Sequence, residues 1–207
     1  MQLLAMVTML IDHLGIVLAP DEEMWRVIGR LAFPLYAYAI VQGYARTSDF
    51  SRYLKRLILI GLLSQIPFML ALGGHSINVI GTFIVCLLVL KGLDRFPQPA
   101  APMLLIAAAI LLLEVVPFDY GSYALLLVLL FRYASAQWAI GLHVLLNFVF
   151  LFYKGWFIQF YSVVSTILIY YLPKMLKALE RAKIPRWLWR SFYPAHLAIL
   201  AIVQALT

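Results

Sequence analysis

Three features of the sequence predict an all-α fold, a polytopic transmembrane helical bundle of about nine spans with its N-terminus inside. Of the 207 residues, 65% are hydrophobic and 12% are charged. Soluble domains run nearer half apolar and a quarter charged, and a mean hydropathy of +0.95 points away from water. Apolar runs near the length of a membrane crossing follow one another along the whole chain. Basic residues sit in the breaks between those runs, as loop charges of membrane proteins do, so the net charge of +7 reads as topology rather than as a nucleic-acid surface.

A crossing needs about 20 mainly apolar residues, and fewer inside a bundle. The runs are 2–19, 24–45, 53–72, 77–93, 101–117, 120–135, 137–153, 155–173 and 190–206. The first stops at Pro20-Asp21-Glu22-Glu23; it lacks a basic leading region and holds Asp12-His13 in its apolar body, so it is expected to be a retained helix rather than a cleaved signal. The second carries Arg26 and Arg30. The third ends at Gly73-Gly74-His75, and the fourth opens near Asn78. Pro97-Gln98-Pro99 separates the fourth from the fifth, and Asp119-Tyr120-Gly121 opens the sixth. Only Ser135-Ala136-Gln137 divides the sixth from the seventh, whereas a long basic stretch, 174–190, precedes the last. No break is long enough for a soluble domain and no internal repeat is visible, so 1–207 reads as a single domain. The lone Cys86 excludes an internal disulfide and a cysteine metal cluster.

Alternating loops place Arg46, Arg52, Lys55, Arg56, Lys91, Arg95, Arg132 and the basic residues of 174–190 on one side. Lys154 stands in an opposite loop with the acidic Asp21, Glu22, Glu23 and Asp119. Under the positive-inside rule the crowded side is cytoplasmic.

Charged groups at membrane depth are costly and mark functional candidates. By helical rise, Asp12 and His13 lie roughly 11 Å below Pro20, and Arg30 roughly 9 Å below Met24 on the antiparallel second run. Neighbours on a helix diverge by about 100°, so Asp12 is expected to pair with Arg30 and His13 to face a cavity. The alternative is a packing ion network without chemistry. Ser64-Gln65, Asn78, Thr82 and Asp119-Tyr120 approach the same outer level. Asn78 and Asp119 suit helix caps as well as ligand contacts, and Gln65 suits an interhelical bond. On the inner side, Phe192-Tyr193-Pro194-Ala195-His196 opens the last run with Pro194 in its first turn, which reads as an interfacial anchor or a ligand contact. His143 and Asn147 share a helix face and read as structural, His75 as solvated, and Glu114 as snorkelling from an outer helix end. The inner basic runs suit anionic lipid or a phosphate-bearing substrate. No phosphate-binding glycine loop, zinc-binding His-Glu-x-x-His or serine nucleophile elbow is present.

Met9-Leu10-Ile11-Asp12-His13, Gly29-Arg30-Leu31-Ala32-Phe33-Pro34, Gln42-Gly43-Tyr44, Ser64-Gln65-Ile66-Pro67-Phe68, Asn78-Val79, Asp119-Tyr120-Gly121-Ser122-Tyr123 and Phe192-Tyr193-Pro194-Ala195-His196-Leu197 follow in order over nearly the whole chain. This set resembles the TraX family, named for a protein associated with acetylation of pilin at its N-terminus. That family is similar to the wider transmembrane acyltransferases, which carry a basic residue, ten intervening positions and a histidine on the first helix. Here His13 holds the histidine place and Gln2 the basic one.

The resemblance implies a multi-pass acyltransferase of the bacterial inner membrane, moving acetyl from cytoplasmic acetyl-coenzyme A to an amine or hydroxyl acceptor: pilin, a glycan or a lipid. His13 is then general base or transient acyl carrier, with Asp12 and Arg30 in support. Gln65, Asn78, Asp119, Tyr120, Tyr193 and His196 are candidate acceptor contacts. Arg46, Arg52, Lys55 and Arg56, with the 174–190 stretch, are candidates for holding the acyl-coenzyme A. Membrane lipid is an expected partner; a metal and nucleic acid are not. The rival classes are a transporter or channel with a buried ion relay, and a non-catalytic assembly factor for a surface structure. A transporter would more often show repeated halves, which this sequence lacks.

Nine crossings from an inside start put Thr207 outside. A phosphatase active only in the periplasm is expected to work when fused there, and a fluorescent reporter that matures only in the cytosol to stay dark. The reverse pattern would change the number of crossings by one.

Overall fold

Helices account for nearly all of the chain in the computed structural model, which describes residues 1–96, 100–179 and 184–206. The break Pro97-Gln98-Pro99, the basic residues Arg181 and Lys183, and Thr207 lie outside the described residues. In order come α1 (Gln2–Leu18), α2 (Glu23–Gly29), α3 (Ala32–Arg46), α4 (Phe50–Leu72), α5 (Val79–Leu93), α6 (Ala100–Val115), α7 (Gly121–Tyr133), α8 (Ala136–Lys154), a 3₁₀ segment (Phe157–Ser162), α9 (Val163–Tyr171), α10 (Pro173–Leu179) and α11 (Arg186–Leu206). Among the described residues no strand forms, only an isolated bridge between Ile77 and Phe118. The all-α expectation holds. By length and composition two helices can cross a membrane, α4 with 23 residues and α8 with 19; the other apolar helices are shorter. The outer faces of α4, α6 and α8 are apolar, with Leu62, Ile66, Leu104, Leu111, Leu145 and Phe152 exposed. Continuous apolar surface of this kind suits lipid or a partner rather than water.

Two of the runs expected as single helices are interrupted. The run 24–45 breaks at Arg30-Leu31, between α2 and α3. Pro34 has no N–H to return to the Arg30 carbonyl, so the ladder is weakest there, and Leu31 N–H instead closes a tighter turn onto Ile28. The run 155–173 begins as 3₁₀ helix and becomes α only from Val163.

Side-chain ties show which helix ends meet. At one end the Tyr44 hydroxyl donates to Asp94 at 2.5 Å, and Arg132 lies 3.7 Å from the same carboxylate, joining the ends of α3, α5 and α7. At the other, Glu114 accepts from Ser122 and Tyr153 and pairs with Lys154 at 2.9 Å, joining α6, α7 and α8. Glu114 is thus paired instead of snorkelling. These ties agree with helices that alternate in direction.

Two apolar clusters face each other. One packs Leu35, Phe83, Leu87, Tyr123 and Leu127 between α3, α5 and α7. The other joins Met9, Phe68, Leu197 and Leu200 between α1, α4 and α11. The space left between them is the cavity described below.

α1 and α2 approach closely at Gly29. A Cβ at Gly29 would land on the side chain of Asp12, so the approach requires glycine. Overpacking costs about 1–3 kcal/mol. Gly29→Ala is expected to lower the melting temperature of the solubilised protein, whereas Gly141→Ala, whose Cβ meets nothing within 4 Å, is expected to be neutral or mildly stabilising. Equal melting curves for the two variants would show that the Gly29 contact relaxes without cost.

Candidate functional site

Asp12 and His13 follow one another on α1 and turn towards different helices. Asp12 faces the end of α2, where Nη2 of Arg30, the residue just after the helix, donates to both carboxylate oxygens at 2.9 and 3.0 Å. Arg26, one turn earlier on α2, brings Nη1 to 3.1 Å from Oδ1 but makes no aligned hydrogen bond, so it contributes charge rather than a directed bond. The expected pairing of Asp12 with Arg30 is present, and Arg26 joins it. Its spacing of four residues from Arg30 was the available signal.

His13 faces α11. Its Nδ1 lies 2.8 Å from Nε2 of His196, and the two rings meet edge to edge, nearly coplanar, with centroids 5.0 Å apart. This corrects the expected placement of His196 near the inner surface. Pro194 lies inside α11 rather than in its first turn, because the helix begins at Arg186. From Arg186 to His196 the helix rises roughly 15 Å, and from Gln2 to His13 roughly 16 Å. Two helices running the same way therefore bring the two histidines to one level.

A cavity of about 360 Å³ opens beside this pair. One end is lined by Gln2, Tyr53, Arg56, Trp189 and Arg190, all near the starts of α1, α4 and α11. The other end is lined by Asp12, His13, Gly29, Asp119, Tyr120 and Tyr193. Between them the wall is apolar and aromatic: Tyr36 stacks on Trp189 with centroids 5.2 Å apart, and Phe33 on Tyr120 at 3.8 Å. Asp119 faces the cavity from the α6–α7 turn. It is not the cap of α7; that position belongs to Tyr120, at φ 63.

The other expected contacts divide. Tyr120 and Tyr193 line the cavity; Arg30 stands behind Asp12, and His196 behind His13. Gln65 and Asn78 do not line it. Gln65 donates to the Ser76 carbonyl at 2.9 Å and accepts from the Asn78 backbone and side chain. Asn78 Oδ1 caps α5 at Ile80 N–H, and its Nδ2 also donates to the Gly61 carbonyl at 2.8 Å. These two join α4 to α5. Among the expected donor contacts Arg56 and, from the 174–190 stretch, Arg190 reach the cavity. Arg46, Arg52 and Lys55 are exposed at the ends of α3 and α4, with Arg52 beside Asp49.

A second polar network lies behind Arg30. Gln159 accepts from Arg30 Nη1 at 3.4 Å and donates to the Tyr123 hydroxyl at 3.2 Å. Tyr123 and Ser162 meet His143 Nε2 at 2.9 and 3.1 Å, and Thr166 meets its Nδ1. Tyr123, His143, Ser162 and Thr166 are closed off from solvent and do not line this cavity, so the network ties α7, α8 and α9 to Arg30. Nothing in the apolar run 155–173 marked Gln159 for this contact. No cluster of three or more metal-ligating side chains occurs among the described residues.

The TraX protein family matches residues 1–204. Over 72 residues the chain is 31% identical to a probable fimbrial assembly protein, FimC of serogroup H1, from Dichelobacter nodosus, covering 33% of this chain and 29% of that one. Over 63 residues it is 33% identical to an uncharacterised protein of Rickettsia prowazekii, covering 30% of this chain and 23% of that one. The chain thus spans less than a third of the length of these curated relatives. No solved structure matches.

Removing Arg30 takes both aligned bonds from Asp12, and breaking a buried pair costs about 3–5 kcal/mol. Arg30→Ala is expected to lower the melting temperature more than Arg26→Ala, whose side chain is 33% exposed against 13% for Arg30. Asp12→Asn added to Arg30→Ala should recover part of the loss. Equal shifts for the two arginine variants would place the pair's weight on charge alone.

Proposed function

The chain belongs to the TraX family, and from that premise we propose that it is a multi-pass acyltransferase of the bacterial inner membrane. It transfers acetyl from cytoplasmic acetyl-coenzyme A to an amine or hydroxyl at or across the membrane. In this reading α2 with α3, and the 3₁₀ segment with α9, each make one crossing, giving nine. The observation that carries the reading is the cavity, which runs from two arginines at the basic end to His13 at the far end.

The residues at the basic end fit the donor. Arg56 and Arg190 supply positive charge for phosphate groups, and the Tyr36–Trp189 stack offers a flat apolar wall. With these in place, the basic residue that the wider acyltransferases carry at the position of Gln2 is replaced by charge from α4 and α11. At the far end His13 takes the proton from the acceptor N–H or O–H while that atom bonds to the acyl carbon. It then returns the proton to the departing sulfur, so the base is regenerated. Asp12 and its arginines hold the α1 backbone that carries His13. Asp119, Tyr120 and Tyr193 are the side chains left to contact the acceptor. The printed name of the Dichelobacter relative, a probable fimbrial assembly protein, supports an acceptor in a surface fibre.

Purified protein in lipid nanodiscs is expected to bind acetyl-coenzyme A, more weakly as salt rises because exposed charge pairs are screened. Replacing Arg56 and Arg190 together should weaken that binding, and replacing Arg46, Arg52 and Lys55 together should not. His13→Ala should keep donor binding and lose transfer by about 10²–10⁴-fold. Mass spectrometry of envelope proteins, glycans and lipids from cells with and without the protein identifies the acceptor. Absence of donor binding at any salt concentration would end the acyltransferase reading, and full turnover by His13→Ala would remove His13 from it.

A further inference from the structure

We propose that His196 is a positioning residue that fixes the tautomer of His13, holding the Nδ1 proton so that Nε2 is the lone pair turned to the cavity. The argument starts at the far end of the chain of bonds. His196 Nδ1 lies 2.6 Å from the carbonyl oxygen of Phe192, one turn earlier on α11. A carbonyl only accepts, so this nitrogen carries a proton. A neutral imidazole has one N–H and one lone pair, which makes His196 Nε2 the lone pair. That lone pair sits 2.8 Å from His13 Nδ1, which must therefore be the donor. The remaining nitrogen of His13, Nε2, is then bare. No hydrogen bond to it forms among the described residues, nor is it sealed off, and His13 lines the cavity. The bond made by one ring nitrogen sets the state of the other.

The packing is suited to this role. His196 meets His13 edge to edge, with the two rings within 10° of parallel, and the Phe192 ring lies 4.7 Å from it at an interplanar angle of 18°. It is 6% exposed and does not line the cavity, so it acts through His13 and not on a ligand. The arrangement places a neutral ring where hydrolases with a serine, histidine and aspartate place a carboxylate. It differs in one respect. When His13 Nε2 gains a proton, the Nδ1 proton can move to His196 Nε2, and the positive charge passes to the second ring. Loss of the Nε2 proton to the leaving group draws it back, and no proton is gained or lost over the cycle.

The catalytic consequence rests on His13 being the base of the proposed transfer; the tautomer does not. Both are tested on full-length protein in nanodiscs labelled with ¹⁵N-histidine, in which protonated and bare ring nitrogens have distinct shifts. The four histidines, His13, His75, His143 and His196, are assigned by single substitution. His13 is expected to show a protonated Nδ1 and a bare Nε2. In His196→Phe, which keeps a ring but offers no acceptor, that signature should be lost. His196→Gln, whose side-chain oxygen can take the Nδ1 proton, should restore it. In transfer assays His196→Phe should lower kcat by about 10–100-fold with KM for the donor unchanged, less than removal of a base, about 10²–10⁴-fold, and His196→Gln should recover most of it. A bare Nδ1 on wild-type His13, or an unchanged tautomer in His196→Phe, overturns the proposal; the wild-type spectrum decides it even if His196→Phe does not fold. If the tautomer depends on His196 but wild-type protein transfers no acetyl, the acyltransferase reading falls and the positioning role of His196 stands.

Discussion

The carboxylate of Asp12, held over Gly29 between Arg26 of α2 and Arg30 just beyond its end, is the constraint on which the arrangement of the site depends. Its ion pair lies inside the bundle, where an unpaired charge would be costly, so α1 cannot rotate or slide against α2 without exposing one partner. Fixing Asp12 also fixes its neighbour. A step of about 100° along α1 turns His13 away from the arginines and towards α11. Gly29 is what permits the carboxylate to come so close. The polar chain continues beyond Arg30 through Gln159 to Tyr123 and His143, so the same ion pair is tied to α7, α8 and the 3₁₀ segment.

The second consequence is a level shared by residues far apart in sequence. α1 and α11 start at the same end and carry histidines at nearly equal heights, so the rings meet 183 positions apart. At those starts stand Gln2, Trp189 and Arg190, joined by Tyr53 and Arg56 of α4. A single cavity can therefore have a basic aromatic end and an acid–base end, because the charged residues that line it stand near helix starts at one end and beside the interior ion cluster at the other. Between them the lining must be apolar, since it is cut from the two hydrophobic clusters on either side.

The exterior obeys a separate requirement. Large aliphatic and aromatic side chains on α4, α6 and α8 point outward, while polar groups at both ends pair with one another, as Glu114 does with Lys154 and Asp94 with Arg132. Gln65 and Asn78 show the cost of a polar group within such a bundle. Each bonds to the other, and both also bond to backbone groups of α4 or the turn before α5. Polar character at the right depth does not by itself make a ligand contact.

The sequence alone determined what depends on composition and on distance along one helix. The all-α class follows from the apolar content, the capping by Asn78 from its place before an apolar run, and the pairing of Asp12 with Arg30 from helical rise measured from a shared turn. Tertiary structure decided what depends on rotation and on which helices are neighbours. It broke the second run at Arg30-Leu31, moved the start of the last helix back to Arg186, and so raised His196 to the level of His13. It also separated Arg56, which reaches the cavity, from Arg46, Arg52 and Lys55, which do not. The reason is physical. Rise is a local property of about 1.5 Å per residue, whereas the face that a helix presents is chosen by packing against partners far away in the chain.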